Sequence, residues 1–175
     1  MYLAAPANAA PSEPVGGGWF QIRARHSDKC LDVAWASTAH GADVVQGNCT
    51  PGNRNQQWRL VPLSGNFFRI VARHSGQCLD VAWASAAHGA DVVQADCTPG
   101  NRNQHWSFVP TQGGLERRGD GSLVPAIGSN VRIVARHSGK CLDVAHGSIA
   151  HAANVLQGTC WSPGFNQQWR FVPAG

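Results

Sequence analysis

The sequence predicts an all-β protein of about twelve short strands, and three observations support this fold class. A 34-residue unit at 25–58 recurs at 73–106 with 28 identical positions, and it recurs again, more loosely but without a gap, at 136–169. Each unit contains four short apolar segments separated by turn residues. No segment shows a helical period longer than one turn. Because repeated units usually bury their apolar faces against each other, we expect the three copies to share one core.

The first copy shows how each unit is built. The stretch 19–27 alternates between apolar and polar residues, as a half-buried strand does. A polar, glycine-containing loop is expected at 35–42, and the sequence TPGNRN at 50–55 is typical of a turn. The four predicted strands of this copy lie at 19–27, 31–34, 43–46 and 57–62.

The repeats define one expected domain at 19–175, with copies at 19–62, 67–110 and 130–173. Residues 1–18 are rich in alanine, proline and glycine, and we interpret them as a flexible leader or the remnant of a signal peptide. The polar, glycine-rich insertion at 111–129 is expected to be an exposed loop. It contains Arg118-Gly119-Asp120, a tripeptide known from integrin ligands, although three residues alone are more typical of an ordinary solvated loop.

The six cysteines form three pairs, each 19 positions apart, with one pair in every repeat. An even number and an equal spacing predict three disulfides within repeats. Disulfides persist in oxidising compartments, so we expect a secreted protein; six buried thiols in a cytosolic protein are the alternative. Zinc is disfavoured because the cysteines are not in close pairs. The expected disulfides join Cys30 to Cys49, Cys78 to Cys97 and Cys141 to Cys160.

Charge and composition exclude several classes of function. The formal net charge is only +4, and no basic run could follow a phosphate backbone, so nucleic acid is not an expected partner. No apolar stretch reaches 18 residues, so we expect no membrane insertion. The eight histidines are scattered, and we therefore expect no metal and no cofactor. No nucleophile–base constellation is unique to one place, and Glu13 and Glu116 lie outside the repeats, so we expect no enzyme.

Two motifs mark equivalent positions in the three copies. CLD stands at 30–32, 78–80 and 141–143, and QxW stands at 56–58, 104–106 and 167–169. In order, spacing and three-fold repetition the chain resembles the ricin B-type lectins, the (QxW)3 family, which is similar to family 13 carbohydrate-binding modules. The resemblance covers about residues 19–173. It implies a β-trefoil, in which six strands close a barrel and three hairpins cap it, and we expect a monomer that has glycans as partners.

Several repeated residues are expected to serve the fold. Trp58, Trp106 and Trp169 each precede an apolar strand, and we expect these indoles to be core residues that meet near a pseudo-three-fold axis. An Arg-His pair also recurs near the start of each unit, and we expect it to make structural hydrogen bonds.

The resemblance implies one sugar site in each repeat. In the family, an aspartate and an asparagine grip vicinal hydroxyls, and the neighbouring glutamine orients the aspartate. The alternative is that the aspartate caps a turn while the two amides knit the loop together. The residues at these positions are Asp32, Asn55 and Gln56, then Asp80, Asn103 and Gln104, then Asp143, Asn166 and Gln167.

The stacking ring is where the chain departs from the family. That ring usually lies two residues before the second cysteine, where this chain has Gly47, Ala95 and Gly158. We expect Trp35 and Trp83 to replace it, because each begins a polar loop where burial is not required. Packing against a neighbouring repeat is the alternative for both tryptophans.

The rest of that loop and the third copy complete the predicted sites. His40, His88 and His151 recur on the loop that follows each candidate ring position and could each add a hydrogen bond. His146 takes the tryptophan position in the third copy, so we expect that site to be weaker, altered or lost. Trp161 and Phe165 occur only in the third copy and could compensate.

These residues predict a secreted, multivalent lectin for galactose-type sugars. Two alternatives remain open at this point. One is a polysaccharide-binding module of a glycosidase system, and the other is a protein-binding trefoil such as a protease inhibitor, in which the insertion at 111–129 would carry the contact.

Overall fold

Within residues 17–175, which the computed structural model describes, the chain forms short strands and 3-10 turns. Apart from its last two residues, the predicted leader at 1–18 lies outside the described part. The strands are β1 (Trp19–Ala24), β2 (Cys30–Val33), β3 (Val44–Gly47), β4 (Trp58–Pro62), β5 (Phe68–Ala72), β6 (Cys78–Val81), β7 (Val92–Ala95), β8 (Trp106–Gln112), β9 (Leu115–Arg117), β10 (Leu123–Pro125), β11 (Asn130–Ala135), β12 (Cys141–Val144), β13 (Val155–Gly158) and β14 (Trp169–Ala174). The 3-10 turns are Ala34–Ala36, Arg54–Gln56, Ser64–Asn66, Ala82–Ala84, Arg102–Gln104, Ala145–Gly147 and Phe165–Gln167.

Six of the strands pair in a closed antiparallel ring. β1 pairs with β14 and β4, β5 with β4 and β8, and β11 with β8 and β14. Ring closure leaves these strands without a free edge. Three hairpins, β2–β3, β6–β7 and β12–β13, adjoin the ring through β1, β5 and β11. This arrangement is a β-trefoil, as predicted, and all twelve of its strands belong to one sheet.

The insertion differs from the prediction. It was expected to be an exposed loop, but it folds into the hairpin β9–β10, whose Val124 is buried. Arg118 is also buried, and its guanidinium lies 5.8 Å from the centroid of the Phe68 ring. The expectation of an exposed loop was therefore wrong for this part of the insertion. Burial of Arg118 also argues against display of the Arg-Gly-Asp tripeptide as an integrin ligand.

The core holds the three repeated indoles, as predicted. Trp58, Trp106 and Trp169 are fully buried, and each donates its indole N–H to the carbonyl of a leucine in its own repeat, at 2.9–3.0 Å. These bonds direct each indole towards its own hairpin. The ring–ring contacts among residues 17–175 are instead made by phenylalanines, with Phe171 against Phe20 and Phe108, and Phe108 against Phe68.

Disulfides close each hairpin at its base. The three pairs are those predicted, with Cα–Cα distances of 5.2, 5.1 and 5.2 Å in chain order. Each bond closes a loop of about 20 residues, which stabilises a fold by roughly 3 kcal/mol in the chain-entropy model.

Each repeat is also fastened to the next one. The buried side chain of Gln94 in the second repeat donates to the carbonyls of Ser37 and Ala39 in the first. His74 contacts the Ser37 carbonyl at 2.7 Å, which confirms the structural role expected for the Arg-His pairs. Gln157 and Gln46 repeat the arrangement with the loops of the second and third repeats. The loop after β2 or its equivalent therefore docks on the following repeat.

None of the helical turns within the described residues 17–175 is long and apolar enough to cross a membrane.

Candidate functional site

The residues predicted to bind a ligand in the first repeat lie together. Asp32 is on β2, while Asn55 and Gln56 are on the 3-10 turn that precedes β4. Asn55 Nδ2 donates to Asp32 Oδ1 at 2.9 Å, and Gln56 Nε2 donates to Asp32 Oδ2 at 2.7 Å. Gln56 Oε1 also accepts from the amide of Thr50 at 2.9 Å. The carboxylate is thus fixed by two amides, one of which is itself held by the backbone.

The other two repeats contain the same aspartate, asparagine and glutamine, which we call the polar trio. In the second, Asp80 accepts from Asn103 at 3.0 Å and from Gln104 at 2.8 Å. In the third, Asp143 accepts from Asn166 at 3.0 Å and from Gln167 at 2.7 Å. The polar part of the predicted site is therefore present three times with nearly the same geometry.

Burial changes the acidity of the three carboxyl groups. Desolvation raises the pKa of Asp32, Asp80 and Asp143 above the ordinary value of 3.8, while the hydrogen bonds from the amides act in the opposite direction. The bonds from two N–H donors favour the ionised form, in which both oxygens only accept. Protonation turns one of the oxygens into an O–H donor and weakens the aspartate as an acceptor.

At the position that the family uses for its ring, the backbone of two repeats packs closely against the aspartate. A Cβ added at Gly47 would collide with Asp32 Oδ2, and one at Gly158 would collide with Asp143 Oδ2. The second repeat has Ala95 at this position, and Asp80 nevertheless keeps its 2.8 Å bond from Gln104. The surface next to each carboxylate is therefore formed by backbone atoms or by a single methyl group.

Trp35 and Trp83 are open to solvent. Each side chain is 98% exposed, so neither tryptophan packs against a neighbouring repeat. Their φ angles are +60° and +59°, and the alanine that follows each one also has a positive φ. The left-handed region costs a residue with a Cβ about 1 kcal/mol or more. The turn recurs with another residue in the third repeat and so belongs to the hairpin, but packing does not explain two fully exposed rings.

A cleft beside Trp83 joins this ring to the polar trio. The cleft has a volume of about 660 Å³, and it is lined by Asp80, Trp83, Asn103 and Gln104 of the second repeat. His40 of the first repeat also lines it. In the third repeat a cleft of about 370 Å³ is lined by Asp143, His146, Asn166, Trp161 and the His88 of the second repeat.

The three loop histidines, each of which was expected to add a hydrogen bond to a site, contact the following repeat. His40 Nδ1 accepts from the amide of Asp96 at 3.1 Å, because its loop docks on the second repeat through Gln94. His88 Nδ1 accepts from Thr159 at 2.9 Å, and His151 Nδ1 accepts from Asn48 at 3.0 Å. The third repeat thus provides a histidine to the first.

The third repeat replaces the exposed tryptophan in part. His146 takes the same turn position, with a φ of +57°. Trp161, which is 52% exposed, lines the cleft beside Asp143. Phe165 lies under the guanidinium of Arg25, 4.6 Å from the ring centroid, and does not line that cleft. Of the two candidates for compensation, only Trp161 is in place.

Comparisons with known proteins agree with this architecture. The designed three-fold symmetric protein ThreeFoil is 46% identical, with a TM-score of 0.75 over 89% of this chain and 98% of its own. The exo-β-1,3-galactanase of Clostridium thermocellum is 31% identical over 91% of this chain, with a TM-score of 0.76, and the chain spans 31% of that enzyme. The ricin B-like lectin of Macrolepiota procera, solved in complex with lactose, shares the fold at 15% identity, with a TM-score of 0.66 over 93% of this chain and 99% of its own.

Sequence comparison gives no significant match to a curated protein. A family profile described as ricin-type beta-trefoil lectin domain-like matches residues 9–95, 62–124 and 102–175, which together span the three repeats. The chain belongs to the ricin-type β-trefoil lectin domain-like family.

Proposed function

We propose that the protein is a lectin that binds galactose-type sugars and has one site in each repeat. The observation that carries this proposal is the cleft of the second repeat, where a buried carboxylate held by two amides lies beside a tryptophan that is 98% exposed. The same polar trio in the other repeats supports a multivalent protein.

The site offers two features that a neutral sugar requires, an acceptor for its hydroxyl groups and an aromatic ring. A sugar has hydroxyl groups that donate to a carboxylate, and it has an apolar C–H face that packs against an aromatic ring. Asp80 keeps unused lone pairs after it accepts from Asn103 and Gln104, and two adjacent hydroxyls would bind there. Trp83 provides the ring at the edge of the same cleft.

Similar proteins support the choice of galactose-type sugars. The Macrolepiota procera lectin was solved with lactose, which carries a terminal galactose, and the Clostridium thermocellum enzyme acts on a galactan. Individual open sites of this kind bind weakly, and several sites on one rigid body gain affinity when they engage one target together.

The three disulfides support secretion, because such bonds persist in oxidising compartments. We further propose that the protein works as a monomer with glycans as its partners. We propose no catalysis, since the repeated carboxylates are each fixed by two amides within the described residues.

Calorimetric titration with lactose tests the proposal. We expect saturable binding by the wild-type protein and none by the triple variant Asp32→Ala, Asp80→Ala, Asp143→Ala. Maltose, which has no galactose, serves as the control sugar. Equal heats for the wild-type protein and the triple variant, or equal affinity for maltose and lactose, would refute the assignment.

A polysaccharide-binding role is the second candidate, and the 31% identity to part of a galactanase favours it. Affinity electrophoresis in gels that contain β-1,3-galactan distinguishes the two. Retardation by the polymer without measurable lactose binding would favour the polysaccharide module over the lectin.

A further inference from the structure

The amide donors of each trio are fully used within the protein. Asn103 Nδ2 donates to Asp80 Oδ1 at 3.0 Å and to the carbonyl of Val81 at 3.2 Å. Gln104 Nε2 donates to Asp80 Oδ2 at 2.8 Å and to the carbonyl of Asp96 at 2.9 Å. A side-chain amide has two N–H groups, so none is left for a ligand. The first and third repeats use their amides in the same way.

The trio can therefore only accept hydrogen bonds from a ligand. A sugar hydroxyl both donates and accepts, and a buried oxygen without a donor loses the hydrogen bond that it had with water. The Trp83 indole has one N–H, but it lies in the plane of the ring. A ring that stacks face-on against a sugar directs this N–H away from that sugar. A complete site needs another donor beside the carboxylate.

The histidine of the preceding repeat has a free donor in the right place. His40 lines the cleft that contains Asp80 and Trp83, and its side chain is 66% exposed. Its Nδ1 accepts from the amide of Asp96, and a neutral imidazole that accepts at Nδ1 has its proton on Nε2. Among residues 17–175, no hydrogen bond engages Nε2 of His40, His88 or His151.

We infer that the histidine of the preceding repeat donates its Nε2–H to the bound sugar, so that every site is shared between two repeats. His40 serves the site of Asp80, His88 that of Asp143, and His151 that of Asp32. This assignment rests on the proposed function. It also means that a sugar binds across a repeat boundary and is sensitive to how the hairpin loop docks on its neighbour.

Single-site proteins test the inference with lactose as the probe. The site-two protein keeps only the second site and has Asp32→Ala and Asp143→Ala. The site-three protein keeps only the third site and has Asp32→Ala and Asp80→Ala. We expect His40→Ala to weaken lactose binding by the site-two protein about three- to tenfold, as loss of one neutral hydrogen bond does. His88→Ala should weaken lactose binding by the site-three protein to the same extent. His40→Gln keeps an N–H donor and should retain more affinity than His40→Ala.

The matched control is Thr38→Ala, because Thr38 is an exposed residue of the same loop and its repeat-two equivalent is already Ala86. Thermal unfolding of each variant shows whether the fold is intact. Monodeoxy derivatives of methyl β-galactoside provide a second readout. The derivative that lacks the partner hydroxyl should bind the site-two protein and its His40→Ala variant with equal affinity.

Two results would overturn the histidine assignment but leave the proposed function in place. One is full lactose affinity in the folded His40→Ala variant, and the other is weaker lactose binding by the site-two protein when it has His88→Ala. Absence of lactose binding by the wild-type protein would instead overturn the proposed function, and the histidine assignment with it.

Discussion

The second and third repeats have the same polar trio but different aromatic surroundings. Asp80 and Asp143 each accept from two amides within 3.0 Å, whereas Trp83 stands 98% exposed and its counterpart is His146. The third repeat has the half-exposed Trp161 at another edge of a smaller cleft. The difference indicates that the polar trio is part of the hairpin structure in each repeat, whereas the aromatic residue varies between repeats.

The turn that carries the ring supports this division. Two successive residues have positive φ in the first two repeats, Trp35-Ala36 and Trp83-Ala84, although both have a Cβ. In the third repeat the second of these positions is Gly147, which adopts such angles at little cost. The turn is nevertheless kept in all three repeats, since His146 has a φ of +57°, so the conformation belongs to the hairpin and only the residue at its tip differs between repeats.

Removal of one carboxylate should have the largest effect. We expect Asp80→Ala to reduce lactose affinity at the second site at least about 100-fold, because hydrogen bonds to a charged group contribute roughly 1.5–3 kcal/mol each. Calorimetric stoichiometry should fall by one site, and Asp143→Ala should remove the third site in the same way. An unchanged stoichiometry in either variant would show that the trio is structural.

Acidification should weaken all sites together, because the aspartates share their environment. Burial raises their pKa above 3.8. The lactose affinity should therefore be greatest at pH values well above the folded-state pKa, and it should fall about tenfold for each pH unit below that pKa. A raised carboxyl pKa means that the folded state takes up these protons before the unfolded state, so the three groups favour folding as the pH falls.

Lactose titration and circular dichroism across the same pH range measure the two effects. Binding should be lost, with a midpoint above pH 3.8, before the fold is lost. Unfolding that precedes the loss of binding would contradict this order.

Removal of the exposed ring should have an intermediate effect. We expect Trp83→Ala to weaken the second site about tenfold, as loss of aromatic contact does, without lowering the thermal midpoint, because the side chain makes little contact with the protein. Trp161→Ala should weaken the third site less and should lower the midpoint slightly, since Trp161 is half-buried. If the folded Trp83→Ala variant binds lactose with the affinity of the wild-type protein, Trp83 does not stack against the sugar.

Introduction of a tryptophan at the turn of the third repeat should have the smallest effect. His146→Trp places a tryptophan in a turn that already has a φ of +57°, close to the +60° of Trp35. We expect the third site to gain about two- to fivefold in affinity, which corresponds to part of one aromatic contact. The lactose affinity of the site-three protein with and without this change measures the gain. A weaker site would show that His146 itself contacts the sugar.

The sequence was sufficient for the features that repeat. Cysteine spacing predicted the disulfides, and the CLD and QxW motifs predicted that Asp32, Asn55 and Gln56 lie together. An exposed Trp35 was expected because the residue begins a polar loop, with packing against a neighbouring repeat as the alternative, and its 98% exposure agrees with the expectation. The placement of His40 was missed, since it depends on docking through Gln94, 54 positions along the chain. The hairpin β9–β10 was missed because strands of three residues are too short to show a period.

Fluorine NMR of protein labelled with 5-fluorotryptophan, titrated with lactose, shows for each repeat whether its exposed ring contacts the sugar. The chain has seven tryptophans, and Trp35, Trp83 and Trp161 each report one site, while Trp58, Trp106 and Trp169 report the core. We predict that the Trp35 and Trp83 signals shift with one shared affinity, that Trp161 responds at higher lactose concentration, and that the core signals stay in place. Signals from Trp35 and Trp83 that do not move at saturating lactose, or a single affinity for all three sites, would contradict this prediction.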